Sequence, residues 1–377
     1  MKPILPKRLN PTLKMQYLAN MGWANMLTPV VSIVRMPLKI YALFILFCVS
    51  MPPMAQTQNS FVQGFTALYE QELGSVNRCS EQTRNEVKIC SKTLRNDGNA
   101  PFALMPSKPK GTVVLFHGLA DSPYYLRSIA EYLYQQDYAV IVPLLPGHGK
   151  LDADADMQDP NLKQRWYAHV DNIMALAANS SEKVFVGGFS AGGTLATHYM
   201  LQHPSKVQGL LLFSGALELS SSAETMSSIW GMKSLAVWLD GTFETDGPNL
   251  YRYPKVASYS GLVLMDVIKE IREMLADKAA MQDITKPIFT AHSMADNITP
   301  FTGIEDLLTK VPGNHTQFKI DSEFDVCHSD VVLSPLQVMT MNFNKSAVNQ
   351  SERCAVPKAN PLHSTMLSVM SYFVAGH

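Results

Sequence analysis

The stretch that most constrains the fold is Val-Phe-Val-Gly-Gly-Phe-Ser-Ala-Gly-Gly-Thr, at residues 184–194. Its pattern predicts a short apolar strand, a sharp turn at Ser190 and a helix that continues to about His203. Gly188 and Gly192 flank the serine in the spacing G-x-S-x-G, because side chains at these positions would collide across so tight a turn. Such a turn holds the serine hydroxyl clear of the backbone. The pentapeptide alone also occurs in ordinary glycine-rich turns, so the rest of the chain has to decide.

Short apolar runs alternate with helical patterns along most of the chain. The runs are predicted as strands at 103–105, 112–116, 138–143, 183–186, 207–213, 287–291 and 316–320. This alternation indicates an α/β fold with a doubly wound, mostly parallel sheet. It pauses at residues 217–285, where helical patterns at 227–239 and 261–280 predict an inserted helical cap. The cap is expected over the carboxyl ends of the strands, where ligands bind in open α/β sheets.

Other segments flank this predicted core. Residues 61–94 show helical spacing and predict one or two helices in an N-terminal extension at 56–99, before a main domain at 100–377. The aspartate-rich residues 151–160 predict an exposed loop with a solvated face rather than an ion site. Residues 334–360 predict a loop insertion, which a closing helix follows.

The N-terminal 55 residues resemble a targeting segment. An apolar run at 39–50 follows Arg35 and Lys39, and it is too short for a comfortable membrane span. It fits the core of a secretory signal cleaved after Ala55, with Met36 as an alternative start. We therefore expect a protein exported to the periplasm or secreted. The alternative is an uncleaved segment that anchors the protein to the inner membrane.

Four cysteines follow this segment: Cys79, Cys90, Cys327 and Cys354. An even number in an exported chain predicts disulfides. Three pairings exist, and Cys79–Cys90 with Cys327–Cys354 is favoured because each pair closes a short loop. The cysteines and histidines lack metal-site spacing, so no metal is expected. A formal net charge of -1 over 377 residues gives no basic surface for nucleic acid.

Ser190, Asp296 and His328 each follow a predicted strand. Because the carboxyl ends of parallel strands share one edge of a sheet, loops there can bring the three together. A serine hydroxyl needs a base to take its proton, and His328 could do this and then protonate a leaving alcohol. Asp296 would hold the imidazole in the required tautomer. The chain order Ser, Asp, His is the one found with this strand–turn–helix serine.

Other residues could fill two of these roles. His363, at the start of the last helix, competes with His328 as the base. Asp306, Asp321 and Asp325 are alternatives to Asp296 only if the strand assignments shift. His292 precedes Asp296 and could line the site, whereas His148 is expected to be structural.

The strand at 112–116 ends in His117-Gly118. The glycine lets the backbone fold back, so that the N–H of Leu119 can face the serine. The N–H of Ala191, directly after the serine, would be the second donor. Two such donors can stabilise a developing oxyanion by several kcal/mol. His117, Gly118, Gly188 and Gly192 are expected to support this arrangement.

With these residues in place, the chain resembles the α/β-hydrolase superfamily, and within it the branch of monoacylglycerol lipases and serine aminopeptidases, which includes lysophospholipases and carboxylesterases. The resemblance covers about residue 111 to the C-terminus. It is carried by Phe116-His117-Gly118-Leu119, Pro146-Gly147-His148-Gly149, Gly188-Phe189-Ser190-Ala191-Gly192, Ala295-Asp296-Asn297-Ile298-Thr299-Pro300 and the region of His328. It implies esterase chemistry without a cofactor, beneath a helical cap. Cys327, where a small residue is common, and the 334–360 insertion depart from the pattern.

These observations predict an exported serine hydrolase that cleaves carboxylic esters, with Ser190 as nucleophile. Acyl-lipid or short-chain esters, including monoacylglycerols and lysophospholipids, are the expected substrates, with contact to a membrane surface. One alternative is a serine aminopeptidase, in which Glu218, Glu224 or Glu244 would hold the substrate amine. The other is a non-catalytic protein that carries a lipid in the capped pocket.

Overall fold

The computed structural model describes residues 53–83, 85–219, 232, 236 and 241–377. The predicted signal or anchor at 1–55 lies outside the described residues apart from 53–55, and the predicted cap helix at 227–239 apart from 232 and 236. Within the part that is described, none of the helices is both long enough and apolar enough to cross a bilayer.

A nine-stranded sheet forms the centre of the described structure. Its strands are β1 (Val76–Arg78), β2 (Glu86–Ser91), β3 (Phe102–Leu104), β4 (Thr112–Phe116), β5 (Ala139–Val142), β6 (Val184–Phe189), β7 (Gly209–Phe213), β8 (Ile288–Ser293) and β9 (Thr316–Ile320). Their spatial order is β1-β2-β3-β5-β4-β6-β7-β8-β9. The pairs from β5 through β4 to β9 are parallel, and β1, β2 and β3 extend the sheet in antiparallel fashion.

Helices cover both faces of this sheet. They are α1 (Pro53–Leu73), α2 (Arg127–Gln135), α3 (Asp154–Met157), α4 (Leu162–Ser180), α5 (Ala191–Gln202), α6 (Ser258–Ala276), α7 (Lys278–Gln282), α8 (Thr302–Lys310), α9 (Pro335–Thr340) and α10 (His363–Gly376). Helices α1, α4, α5 and α6 share one core with Val114 and Phe116 of β4, while α2 and α10 share a second core with Val113 and Leu115. Successive β4 side chains thus enter opposite cores, as the period of a strand dictates. The predicted doubly wound, mostly parallel α/β fold is confirmed.

The N-terminal extension differs from its helical prediction. Helix α1 forms as its spacing indicates, with Phe61, Phe65, Tyr69 and Leu73 buried along one side. The second half is wrong, because residues 76–78 and 86–91 are strands of the central sheet. The charged residues of Glu86–Ser91 favour an exposed helix in a sequence-based prediction, but this strand is largely buried. Its Glu86 carboxylate is buried against the Arg127 guanidinium of α2.

Two loop predictions also need correction. The aspartate-rich residues 151–160 contain the short helix α3 rather than a plain solvated loop. Asp156 binds Lys150 and Arg165, and Asp159 binds Arg165, so these carboxylates form structural ion pairs. The 334–360 segment is mostly loop, as predicted, but it begins with helix α9. Ser334 and Gln337 form a capping box at the N-terminus of this helix.

Within the segment predicted as a cap, the helical pattern at 261–280 corresponds to two helices, α6 and α7, which are separated at Asp277. Helix α6 packs its apolar side, which includes Val263 and Val267, into the same core as α4 and α5. This packing brings the N-terminal half of α6 to the edge of the sheet where β6 ends. The two predicted disulfides, Cys79–Cys90 and Cys327–Cys354, are both present in the structure.

Candidate active site

Ser190 lies at the sharp turn between β6 and α5. Its φ of 53° and ψ of -121° are unusual for a residue with a side chain, and such strain persists only where the surroundings fix it. A methyl group on Gly188 would lie 2.5 Å from the Phe116 carbonyl oxygen, and one on Gly192 would overlap the same carbonyl. Both glycines are therefore required by close backbone packing against β4, and a methyl group on Gly188 would also lie 2.5 Å from the Gly192 carbonyl carbon across the turn.

His328 begins a 3₁₀ turn, His328–Val332, shortly after β9. Its Nε2 lies 2.9 Å from Oγ of Ser190, and its Nδ1 lies 2.6 Å from Oδ2 of Asp296. An ionised carboxylate can only accept a hydrogen bond. Nδ1 of His328 therefore carries a proton and donates a hydrogen bond to Asp296. In the neutral ring Nε2 is then left as the acceptor for the Ser190 hydroxyl. The ring is therefore oriented to take a proton from Ser190.

Asp296 lies in the turn after β8, with its side chain fully buried. Its Oδ1 accepts from the backbone N–H of Ile298 at 2.8 Å and of Thr299 at 3.2 Å, and its Oδ2 accepts from the Thr299 hydroxyl at 2.9 Å. Burial alone raises the pKa of this carboxyl, but His328 and these hydrogen bonds outweigh burial and lower the pKa to about 2. Asp296 is thus an ionised, fixed acceptor at neutral pH.

The two residues predicted to supply backbone donors lie close to Ser190, Ala191 in the chain and Leu119 in the cavity. Ala191 opens α5, and N–H groups in the first turn of a helix have no partner within it. Leu119 follows β4 and lines the same cavity as Ser190. His148 holds this loop, since its Nε2 lies 2.7 Å from the Leu119 carbonyl oxygen, while Nε2 of His117 accepts from the Leu145 N–H at 3.0 Å. Burial lowers the pKa of both histidines, and both hold this loop through contacts with the backbone.

A cavity of about 280 Å³ opens over Ser190 and His328. Most of its lining is apolar and comes from the loop after β4 and from α6, with Leu119, Ala120, Leu262, Leu264 and Met265. Val256 and Ile298 also line it and are 43% and 53% exposed. The cavity thus has an apolar interior and apolar side chains that reach the solvent.

A match to a model of a known protein family shows which family this chain belongs to. Residues 107–325 match the family model described as serine aminopeptidase, S33, which is more than half of the chain. The chain belongs to this family. A monoacylglycerol lipase from Bacillus sp. (strain H-257) is 26% identical over 50% of this chain and 71% of its own. A pimeloyl-[acyl-carrier protein] methyl ester esterase from Aromatoleum aromaticum is 24% identical over 53% of this chain and 85% of its own.

Solved structures share the fold of this S33 family member. A chain of the metagenome-derived lipolytic enzymes LipS and LipT superposes with a TM-score of 0.54 at 17% identity, over 73% of this chain and 97% of the other. The monoglyceride lipase of Saccharomyces cerevisiae gives 0.50 at 12% identity, over 81% and 97%. At such identities the likeness establishes the α/β-hydrolase fold.

The residues considered as alternatives to His328 and Asp296 make other contacts in this S33 family member. His363 is buried at the start of α10, with Nε2 3.1 Å from Oγ of Ser128. Asp306 pairs with Lys310 on α8 at 2.8 Å, and Asp325 pairs with Arg353 at 2.8 Å. Asp321 precedes a 3₁₀ turn at 322–324. His292 lies nearer, with Nε2 3.8 Å from Oδ2 of Asp296, but it contacts the Thr299 carbonyl at 3.0 Å instead.

Two cavity residues were missed by the sequence reasoning. Asp121, on the loop after β4, is 4% exposed and lines the cavity together with Arg252. Nε of Arg252 lies 3.5 Å from Oδ1 of Asp121, and its Nη1 donates to Oγ of Ser329 at 2.8 Å. Asp121 follows the His117-Gly118 motif closely, which could have marked it. Nothing local marks Arg252, whose position depends on the path of the chain between β7 and α6.

No group of three or more His, Cys, Asp or Glu side chains in the described ranges is arranged to hold a metal ion.

Proposed function

We propose that this protein is an exported serine hydrolase that cleaves carboxylic esters through Ser190, His328 and Asp296. One observation carries the proposal: a single imidazole lies 2.9 Å from the Ser190 hydroxyl and 2.6 Å from a buried carboxylate, beneath an apolar cavity. Proton transfer within such an array requires contacts of about 2.6–3.2 Å, which both distances satisfy.

In the proposed reaction, His328 removes the proton of Ser190 as Oγ attacks the ester carbonyl carbon. The carbonyl oxygen becomes negative and is stabilised by the N–H groups of Leu119 and Ala191; one such donor is worth about 10²–10³ in kcat. His328 then protonates the leaving alcohol, and the acyl group stays on Ser190. Water, activated by the same imidazole, releases the acid and restores the serine. Asp296 stabilises the imidazolium in both steps.

The lining of the cavity favours an acyl chain as the bound group. Apolar side chains of α6 and of the loop after β4 would surround it, and each buried methylene contributes about 0.8 kcal/mol. The exposed Val256 and Ile298 at the cavity suit a substrate presented at a lipid surface. Both sequence relatives are named as ester hydrolases, which supports an acyl-lipid or short-chain ester.

The two disulfide bonds support the proposed export. Two disulfides join Cys79 to Cys90 and Cys327 to Cys354, and disulfides persist in oxidising compartments. The apolar run at 39–50 supplies the proposed signal, with the retained anchor as its alternative.

A peptidase would need a free acidic group near the cavity to bind the substrate amine. Glu218 accepts from the Thr302 hydroxyl at 2.6 Å, Glu244 is exposed, and Glu224 lies outside the described residues. Asp121 lines the cavity, but Arg252 offsets its charge. We therefore favour esters over N-terminal amines.

The test is labelling of the purified protein with a fluorophosphonate, which reacts with activated serines. We expect labelling that Ser190→Ala abolishes and His328→Ala strongly reduces, whereas His363→Ala has no effect. A matched panel of p-nitrophenyl esters and aminoacyl-naphthylamides then separates esterase from aminopeptidase. A folded wild-type protein that neither labels nor turns over either panel would favour the lipid-carrying alternative.

A further inference from the structure

Two adjacent residues of the 334–360 segment contact both loops that carry the proposed acid and base. Nη2 of Arg353 donates to the carbonyl oxygen of Ala295 at 2.9 Å, and Ala295 directly precedes Asp296. Cys354 forms a disulfide with Cys327, which directly precedes His328. One short piece of chain is thereby attached immediately before each of the two residues.

Further contacts tie the same piece to the histidine loop. Nε of Arg353 donates to Oδ1 of Asp325 at 2.8 Å, and the N–H of Lys358 donates to Oδ1 of Asp330 at 3.1 Å. Asp330 is 3% exposed, so this second bond lies inside the protein. The histidine loop is therefore held on both sides of His328, by Asp325 and Cys327 before it and by Asp330 after it.

The backbone at these contacts is held in an uncommon conformation. Asp325 has a φ of 47° and Cys354 a φ of 67°, and both residues carry side chains. Residues in the left-handed region persist where surrounding contacts over-determine them. In this case the surrounding contacts are the disulfide and the Arg353 bonds.

We propose that Arg353 and the Cys327–Cys354 disulfide are positioning elements that together fix the separation of Asp296 and His328. Together we call Arg353 and this disulfide the clamp. This inference rests on the proposed function, because it concerns the same pair. No residue of 334–360, all of which are described, lines the cavity over Ser190. Loss of the clamp therefore lowers turnover while substrate binding is retained.

The two disulfides differ in a way that gives an internal control. Cys354 is an exposed residue, whereas Cys79 and Cys90 are both buried, so we expect a reductant to break the Cys327–Cys354 bond first. Dithiothreitol would break the Cys327–Cys354 bond by thiol–disulfide exchange. Two cysteine thiols form, and the dithiol leaves as its cyclic disulfide.

The decisive experiment compares Cys327→Ser/Cys354→Ser with Cys79→Ser/Cys90→Ser and wild type. Active sites are first counted by fluorophosphonate titration, so that kcat refers to competent molecules and not to total protein. We expect kcat per titrated site to fall at least tenfold in the first variant with KM within twofold. The second variant keeps the wild-type kcat per site, and dithiothreitol lowers the kcat of the wild type but not of the first variant.

Arg353 gives a test that does not depend on the disulfide. Arg353→Ala should lower kcat per site about three- to tenfold, and Arg353→Lys, which keeps one donor for the Ala295 carbonyl, should restore part of the loss. Arg78→Ala is the matched control, since Arg78 of the distant strand β1 also donates to a backbone carbonyl, that of Glu86 on β2.

The outcomes separate the two proposals. An unlabelled wild type would refute the hydrolase itself. A labelled wild type, with kcat per site unchanged in both the Cys327→Ser/Cys354→Ser and Arg353→Ala variants, would leave the hydrolase standing and overturn the clamp. A fall confined to the number of titrated sites would also overturn it, because that result indicates a purely structural bond.

Discussion

Nδ1 of His328 lies 2.6 Å from Oδ2 of Asp296, while Nε2 of the neighbouring His292 stops at 3.8 Å from the same oxygen. The Asp296 carboxylate therefore forms a hydrogen bond with His328, whereas its contact with His292 is too long for one. Nδ1 of His328 also lies 3.2 Å from Oγ1 of Thr299, but that hydroxyl itself donates to Oδ2 of Asp296. The position of the ring proton therefore depends on the carboxylate.

Asp296→Asn tests that dependence. The amide can present an N–H to Nδ1, which would place the ring proton on Nε2 and remove the acceptor that Ser190 needs. We expect kcat to fall about 10³–10⁴-fold with little loss of stability. Ester hydrolysis under saturating substrate is the measurement, and Asp306→Asn, which breaks a surface pair with Lys310, is the control. Activity within tenfold of wild type would show that Asp296 does not orient the base.

Much of this site followed from the sequence because parallel strands converge at their carboxyl ends. Ser190, Asp296 and His328 lie after β6, β8 and β9, and short apolar runs mark such strands clearly. The prediction failed at Glu86, whose burial depends on Arg127, 41 residues later in the chain. It failed also at Arg252, because no local pattern tells where a loop residue will lie in three dimensions.

The pair of Glu86 and Arg127 makes a prediction about stability. Glu86 is 4% and Arg127 27% exposed at the side chain, with 2.5 Å between Oε1 and Nη1. Arg127→Met leaves a buried carboxylate without its partner, so we expect the free energy of unfolding to fall by about 3 kcal/mol. Glu86→Gln combined with Arg127→Met should recover much of this loss. Urea denaturation measures both, and Glu131→Gln, at the exposed partner of Arg127, is the control.

Asp330 predicts a pH dependence of stability. Burial raises the pKa of this carboxyl from 3.8 to about 6, although hydrogen bonds and nearby cations oppose the shift. The folded state thus binds this proton more tightly than the unfolded state. The resulting stability is fully present below about pH 3.8 and is lost as the pH rises through about 6, by about 3 kcal/mol in all.

Asp330→Asn should remove this term while its Oδ1 still accepts from the Lys358 N–H. We expect the variant to gain thermal stability over wild type at pH 8 and to show no such gain at pH 4. Thermal unfolding at the two pH values measures the difference. Equal gains at both values would show that ionisation of Asp330 is not the cause.

The ion pair of Arg252 and Asp121 leads to a prediction about the effect of charge near Ser190 on catalysis. Nε of Arg252 lies 3.5 Å from Oδ1 of Asp121, and both residues line the cavity that contains Ser190. Arg252→Met would leave a buried negative charge close to where the reaction develops another. We expect kcat/KM for a neutral ester to fall about tenfold, since like charges repel strongly in a site with an apolar lining. Asp121→Asn combined with Arg252→Met removes both charges and should return kcat/KM to within about threefold of wild type. If the double variant is no better than Arg252→Met, the guanidinium acts through its bond to Ser329 rather than by offsetting Asp121.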